Sequence, residues 1–183
     1  DKTNKIIGDR AFSNRVKIVS KLGDYCIKLY SKNKIGTVIK HIPGHGASKF
    51  DTHLISSKVD LSLNELEKKD FIPFEKLNQE SAAMVSHIIY SKIDNKAACV
   101  SKKIINKIIR KKIGFKGILF SDDINMKALK GSLKNKVKLI LSSGCDVILH
   151  CNGNLKQMTE IHSVIPFIKN NVLKKVNRIK YLV

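Results

Sequence analysis

The sequence has no tryptophan, and only four of its 35 basic side chains are arginine: Arg10, Arg15, Arg110 and Arg178. Both shortages bear on the net charge of +20, which by itself invites a nucleic-acid reading. Arginine reads guanine edges and stacks on bases, and tryptophan would add a stacking platform. The lysines are scattered through the whole chain instead of being gathered on one helix. A basic nucleic-acid-binding module is therefore a rival supported by charge alone, and no nucleic-acid partner is expected. No apolar run approaches the roughly 18 residues that cross a bilayer, so no membrane partner is expected either. Cys26, Cys99, Cys145 and Cys151 form no CxxC pair and no zinc-like spacing. They read as reduced thiols of a cytoplasmic protein. The opening DKTNKIIGDR has no apolar stretch of a signal peptide, but a chain that begins at Asp1 gives that absence little weight.

What is present is an even spread of apolar residues, 43% of the chain, enough for one good core or for part of a larger one. Residues 1–183 are read as a single domain. From Ser13, an expected N-cap, Val16, Val19, Leu22, Cys26 and Leu29 recur at helical spacing. A β-branched stretch predicts a strand at 36–41, followed by a long loop. Ser62 and Glu65 form a capping box that opens a helix to about Gln79. A second strand is predicted at 82–88, and from Ser101 the isoleucines 104, 105, 108 and 109 mark a narrow helical face that stops at Gly114. A third strand is predicted at 117–121, a helix to about Ser143, a fourth strand at 145–151, and a last helix through much of 155–180.

Strands alternating with helices, without hairpin signals, predict a parallel sheet with helices on its faces. Each strand has an apolar body and a polar end: Lys40 and His41, Ser86 and His87, Ser121 with Asp122 and Asp123, His150 and Asn152. In a parallel sheet those ends share one side, where barrels and open α/β sheets keep their sites. A closed barrel needs about eight strands, so four imply either a small open sheet or a barrel whose first half is missing. The second is favoured, an α/β chain that is an N-terminally truncated TIM-type (β/α)8 barrel.

Most of the fifteen carboxylates can be set aside. Glu65, Glu67, Asp70, Glu75 and Glu80 fall on one amphipathic helix as solvated charges, Asp94 lies in a polar turn, and Asp146 begins its strand, the end tied to stability. Asp122 and Asp123 remain, at a strand end where two buried acids need partners; one could instead cap the next helix and leave the other solvated. Asp51 and His53 flank Thr52, so in extended backbone carboxylate and imidazole share a side. Such an acid fixes the imidazole tautomer and frees its other nitrogen for proton transfer, although a plain loop ion pair gives the same pattern. His41 and His45 flank Pro43 and Gly44 without a cysteine or carboxylate at ligand spacing, so no metal and no cofactor is expected.

IKHIPGHGASKFDTHL, SAAMVSHIIYSKID, IIRKKIGFKGILFSDDINM and SGCDVILHCN, with IGDRAF at 7–12, together resemble the β-N-acetylhexosaminidases of glycoside hydrolase family 3, in particular those of bacterial peptidoglycan recycling. The likeness runs in order from about Ile7 to Asn152. It implies a retaining hydrolase that removes terminal β-linked N-acetylglucosamine from anhydro-muropeptides in the cytoplasm, as a monomer when full length. It implies Asp122 as nucleophile, His53 as acid/base polarised by Asp51, and Arg10, Lys40, His41, His87 and Asp123 around the sugar. The residues alone do not rank Asp122 against Asp123; the resemblance does. GHGASKFDTH stands where the commoner pattern is GHGDTxxDSH, so the loop has lost one acid but kept Asp51 and His53. A β-glucosidase, a phosphorylase of the same family, or a fragment with no activity are the alternatives.

Overall fold

A computed structural model describes residues 11–48, 57–126 and 128–180. Helix α1 (Val16–Lys32) is followed by strand β1 (Ile39–Ile42), strand β2 (Lys58–Val59), helices α2 (Leu63–Lys68) and α3 (Ile72–Lys76), and strands β3 (Ala82–Val85) and β4 (Ile89–Tyr90). A 3-10 turn (Ala98–Val100) and a π-helix (Ile104–Lys112) lead to β5 (Ile118–Asp123), α4 (Leu133–Ser143), β6 (Val147–Leu149), α5 (Leu155–His162) and α6 (Asn170–Lys180). The four expected strands form one sheet in the order β1-β3-β5-β6, all parallel. The α/β reading is therefore borne out, with the four polar strand ends on one side.

Local chemistry explains both the agreements and the differences. The capping box is real: Ser62 N donates to Glu65 Oε2 at 2.8 Å, and Glu65 N donates to Ser62 Oγ at 3.3 Å. The helix it opens ends at Lys68 rather than near Gln79. Pro73 has no amide hydrogen to donate to the carbonyl four residues earlier, at Lys69, so the chain turns at Lys69 and Asp70 and restarts as α3 with the proline in its first turn. The same residue type, Pro166, lies between α5 and α6 where one helix was expected. Ser13 accepts from the Arg15 amide at 3.1 Å instead of capping α1, whose N-cap is Arg15. Two short strands were not expected at all: β2 and β4 pair in parallel as a small second sheet. Two residues each are too few to show alternation.

The core lies where the π-helix and the 3-10 turn meet the sheet. Ile104, Ile105 and Ile109 are fully buried with Leu119, Ala83, Phe115 and Val137; burial of each isoleucine contributes roughly 1.5–3 kcal/mol. Gly117 allows β5 to start there, because a Cβ would fall 2.4 Å from the Glu80 carbonyl oxygen and 2.5 Å from that of Ser81. At the same end, Asp146 Oδ2 accepts from Arg110 Nη2 at 2.8 Å, Lys175 Nζ at 2.8 Å and the Leu119 amide at 2.9 Å. Arg110 also donates to the carbonyls of Phe115 and Gly117. Asp146 thus ties β5, β6, the π-helix and α6 together at the strand starts, as expected of a stability residue.

Candidate active site

Two of the expected site residues meet directly at the strand ends. His41 Nε2, from the end of β1, lies 3.5 Å from Asp122 Oδ2, near the end of β5. The other Asp122 oxygen, Oδ1, accepts from the Asp123 amide at 2.9 Å. Both side chains keep some exposure, 25% for His41 and 16% for Asp122, so an incoming molecule can reach them. The Lys40–His41 and Ile42–Pro43 peptide bonds are cis. Lys40 is exposed and lines the cavity along β1. Arg10, Asp51 and His53 lie outside the described residues.

Asp123 has partners of its own. Its Oδ1 accepts from the Asn125 amide at 3.2 Å and from the Cys151 amide at 3.3 Å, so it bridges the turn after β5 to the end of β6. His87 is buried to 1% exposure, with both ring nitrogens engaged inside the protein. The fourth strand end is occupied by α5: His150 Nε2 and Asn152 Nδ2 each lie 2.8 Å from Gln157 Oε1. Of the four polar ends, those of β1 and β5 form the open site, and those of β3 and β6 support it.

Burial holds the His41 imidazole down at about 4, with Asp122 opposing the shift and His45, Lys40 and His87 adding to it. His41 is therefore neutral at pH 7 and acts as a hydrogen-bonding group, not as a cation. Burial lowers His87 as well. Between about pH 4 and the ordinary 6.5, the unfolded chain binds a proton at position 41 that the folded chain does not. The stabilisation is thus present above about 6.5 and lost as the pH falls towards 4. In the intact protein, going from pH 7 to pH 5 should cost of the order of 2 kcal/mol from this group, and His41→Gln should flatten that slope in thermal melts. An identical slope in the variant would refute the assignment.

Two residues at the site escaped the sequence reading. Asp70, expected to be a solvated helix charge, sits in the turn between α2 and α3, and its burial raises its pKa. It packs against Gly44, where a Cβ would come within 2.8 Å of Asp70 Cβ; with φ at +148°, that position admits only glycine comfortably. Tyr90, fully buried, donates to the Gly44 carbonyl. Pro73 just downstream was the available signal for Asp70; Tyr90 offered none. A cavity of about 670 Å³ runs between α1, α3 and β1, and Lys40, His41, Gly44, His45 and Asp70 of the site are part of its lining. Among the described residues, no three His, Cys, Asp or Glu side chains converge as a metal site would require.

Residues 1–182 match the model of the glycosyl hydrolase family 3 N terminal domain. The chain belongs to that family. A curated beta-hexosaminidase from Neisseria gonorrhoeae (strain NCCP11945) is 36% identical over 151 residues, 80% of this chain and 42% of the relative. One from Tolumonas auensis is 34% identical over 158 residues, 84% of this chain and 47% of the relative. NagZ from Neisseria gonorrhoeae, solved in complex with N-trifluoroacetyl-D-glucosamine, matches with a TM-score of 0.85 and 30% identity, over 95% of this chain and 51% of that one. The glycosyl hydrolase family 3 N-terminal domain is a TIM-like α/β fold, and the parallel sheet described above is a part of it. The chain spans roughly half of the relatives it matches, or somewhat less.

Proposed function

We propose that, within the intact protein, this chain supplies the catalytic half of a retaining exo-β-N-acetylglucosaminidase. What carries the reading is Asp122. It is a carboxylate near the end of a barrel strand, held through one oxygen by the Asp123 amide and facing His41 at 3.5 Å with the other, in a chain 36% identical to a beta-hexosaminidase. Asp122 attacks the anomeric carbon while the glycosidic C–O bond breaks and the leaving oxygen takes a proton from His53. His53 then removes a proton from water, and the water oxygen displaces Asp122 from the same carbon, giving net retention. Asp51 orients the His53 ring, and an imidazole in this role adds no negative charge beside an anionic aglycone. Arg10, Lys40 and neutral His41 bind the sugar hydroxyls and acetamido group, while His87 and Asp123 hold the site from behind. The bound N-acyl glucosamine of the Neisseria structure supports an N-acetylglucosamine-type sugar. We further propose cytoplasmic anhydro-muropeptides as the natural substrate.

The decisive assay compares an aryl N-acetylglucosaminide with a poor-leaving-group disaccharide, each with and without phosphate. Free N-acetylglucosamine in both conditions is the expected product. A sugar phosphate would identify a phosphorylase, and turnover of the matching aryl glucoside in place of the N-acetylglucosaminide would identify a glucosidase. His53→Ala should slow the poor leaving group by roughly 10²–10⁴-fold and the activated aryl substrate far less, because the aryl group departs without protonation. Equal losses on both would leave His53 a loop-shaping residue only.

A further inference from the structure

Behind β5 lies a chain of neutral groups that the proposed mechanism does not use. His87 Nε2 is 3.0 Å from the Asp123 carbonyl oxygen, and its Nδ1 is 2.9 Å from Cys99 Sγ. A carbonyl oxygen can only accept, so Nε2 carries the proton. Nδ1 is then an acceptor, and the Cys99 thiol must donate to it. Both groups are fully buried, at 1% and 0% exposure, and burial drives the thiol well above its ordinary range, so the proton stays on sulfur. Cys145, pushed up to about 12 by the same cause, extends the chain with its Sγ 3.7 Å from the Cys99 carbonyl.

The far end of this chain is the turn that follows β5, directly after Asp122 and Asp123. The Asp123 carbonyl accepts from His87 and, within the turn, from the Met126 amide at 3.1 Å; the Ile124 amide is held by the Leu149 carbonyl at 3.1 Å, and the Ile124 carbonyl by Lys136 Nζ at 3.2 Å. The Asp123 amide in turn fixes Asp122 Oδ1. We propose that Cys99 is a positioning residue for Asp122: its thiol satisfies His87 Nδ1 and so aligns the Nε2–H that pins the backbone after the nucleophile. The proposal rests on the reading of Asp122 as nucleophile. Without its donor, the buried Nδ1 is an unsatisfied acceptor, and the ring gains by tilting away from the Asp123 carbonyl.

Cys99→Val and Cys99→Ser separate this from simple packing. Valine matches the apolar character of a buried thiol but removes the donor; serine keeps a donor on a smaller, more polar side chain. In the intact protein, Cys99→Val should lower kcat by about 10 to 100-fold with KM little changed, as a small misplacement of a reacting group does, and Cys99→Ser should recover most of the loss. A packing role gives the opposite order, valine above serine, and that order would overturn the proposal. Nitrogen-15 spectra of the His87 ring provide an arm independent of turnover. The native ring should show protonated Nε2 and a hydrogen-bonded Nδ1, with the Nδ1 signal moving to that of an unbonded nitrogen in Cys99→Val and back in Cys99→Ser. A ring signal unmoved by valine also overturns it. If the native protein turns over no glycoside while the spectra behave as expected, the functional reading fails and the thiol–imidazole contact stands.

Discussion

Asp122→Asn in the intact protein is expected to reduce turnover by about four orders of magnitude or more, with binding of N-acetylglucosamine largely preserved. Asparagine keeps an oxygen to accept the Asp123 amide, now bound by Asp122 at 2.9 Å, so β5 should end as it does now. What is lost is the anionic oxygen near His41, the one proposed to form the covalent bond. Mass spectrometry of enzyme quenched during turnover of a slow substrate should find sugar on the peptide carrying Asp122, and none in the variant. Asp123→Asn should behave differently. Its carboxylate meets the Asn125 and Cys151 amides, which an amide oxygen also satisfies, so a loss nearer tenfold is expected there. A few-fold effect at Asp122 would remove it as nucleophile.

The second large effect concerns residues 1–183 expressed alone. No turnover of an aryl N-acetylglucosaminide above the uncatalysed rate is expected, and the polypeptide should self-associate or stay loosely packed. Among the described residues, β1 pairs only with β3 and β6 only with β5, which leaves two open edges for other chains to pair with. On α1 and just before β1, Tyr25, Leu29, Tyr30 and Val38 are 63, 50, 50 and 44% exposed, and just before α6 Phe167 is fully exposed. A barrel interior is layered from alternate strands all the way round, so four strands fill each layer only in part. Sedimentation and calorimetry test this directly. A monomer that unfolds cooperatively and hydrolyses the substrate at an ordinary enzyme rate would show that these 183 residues suffice.

The parallel sheet was legible because each main strand has an apolar body beside helices of clear period. The π-helix face was legible for the same reason, its isoleucines falling at positions 104, 105, 108 and 109 and all buried. His41 and the Asp122–Asp123 pair could be named among the polar strand ends because such ends converge in a parallel sheet, whatever the loops do; the resemblance, not that pattern, put Asp122 ahead of Asp123. What stayed hidden depends on contact across the chain. His87 and Cys99 are 12 positions apart, Tyr90 and Gly44 are 46 apart, and no local pattern links either pair. Asp70 was misread because a helical stripe continues through the α2–α3 turn in sequence, and only the proline at 73 signals the break. His87 looked like a sugar ligand because its position on a strand end was visible and its burial was not.

The Asp146 cluster gives the sheet a division of labour along its strands. Ionised partners, one carboxylate with a guanidinium and an ammonium, sit where β5 and β6 begin; at the opposite rim, buried histidines and thiols keep their uncharged forms. Added salt screens the first kind of contact, though only in part because the Asp146 side chain is 8% exposed, and leaves the second almost untouched. Durability and chemistry therefore answer to different solutes. A drift in Asp146, Arg110 or Lys175 could retune how long the protein lasts at a given salt or temperature while the rim above goes on working unchanged.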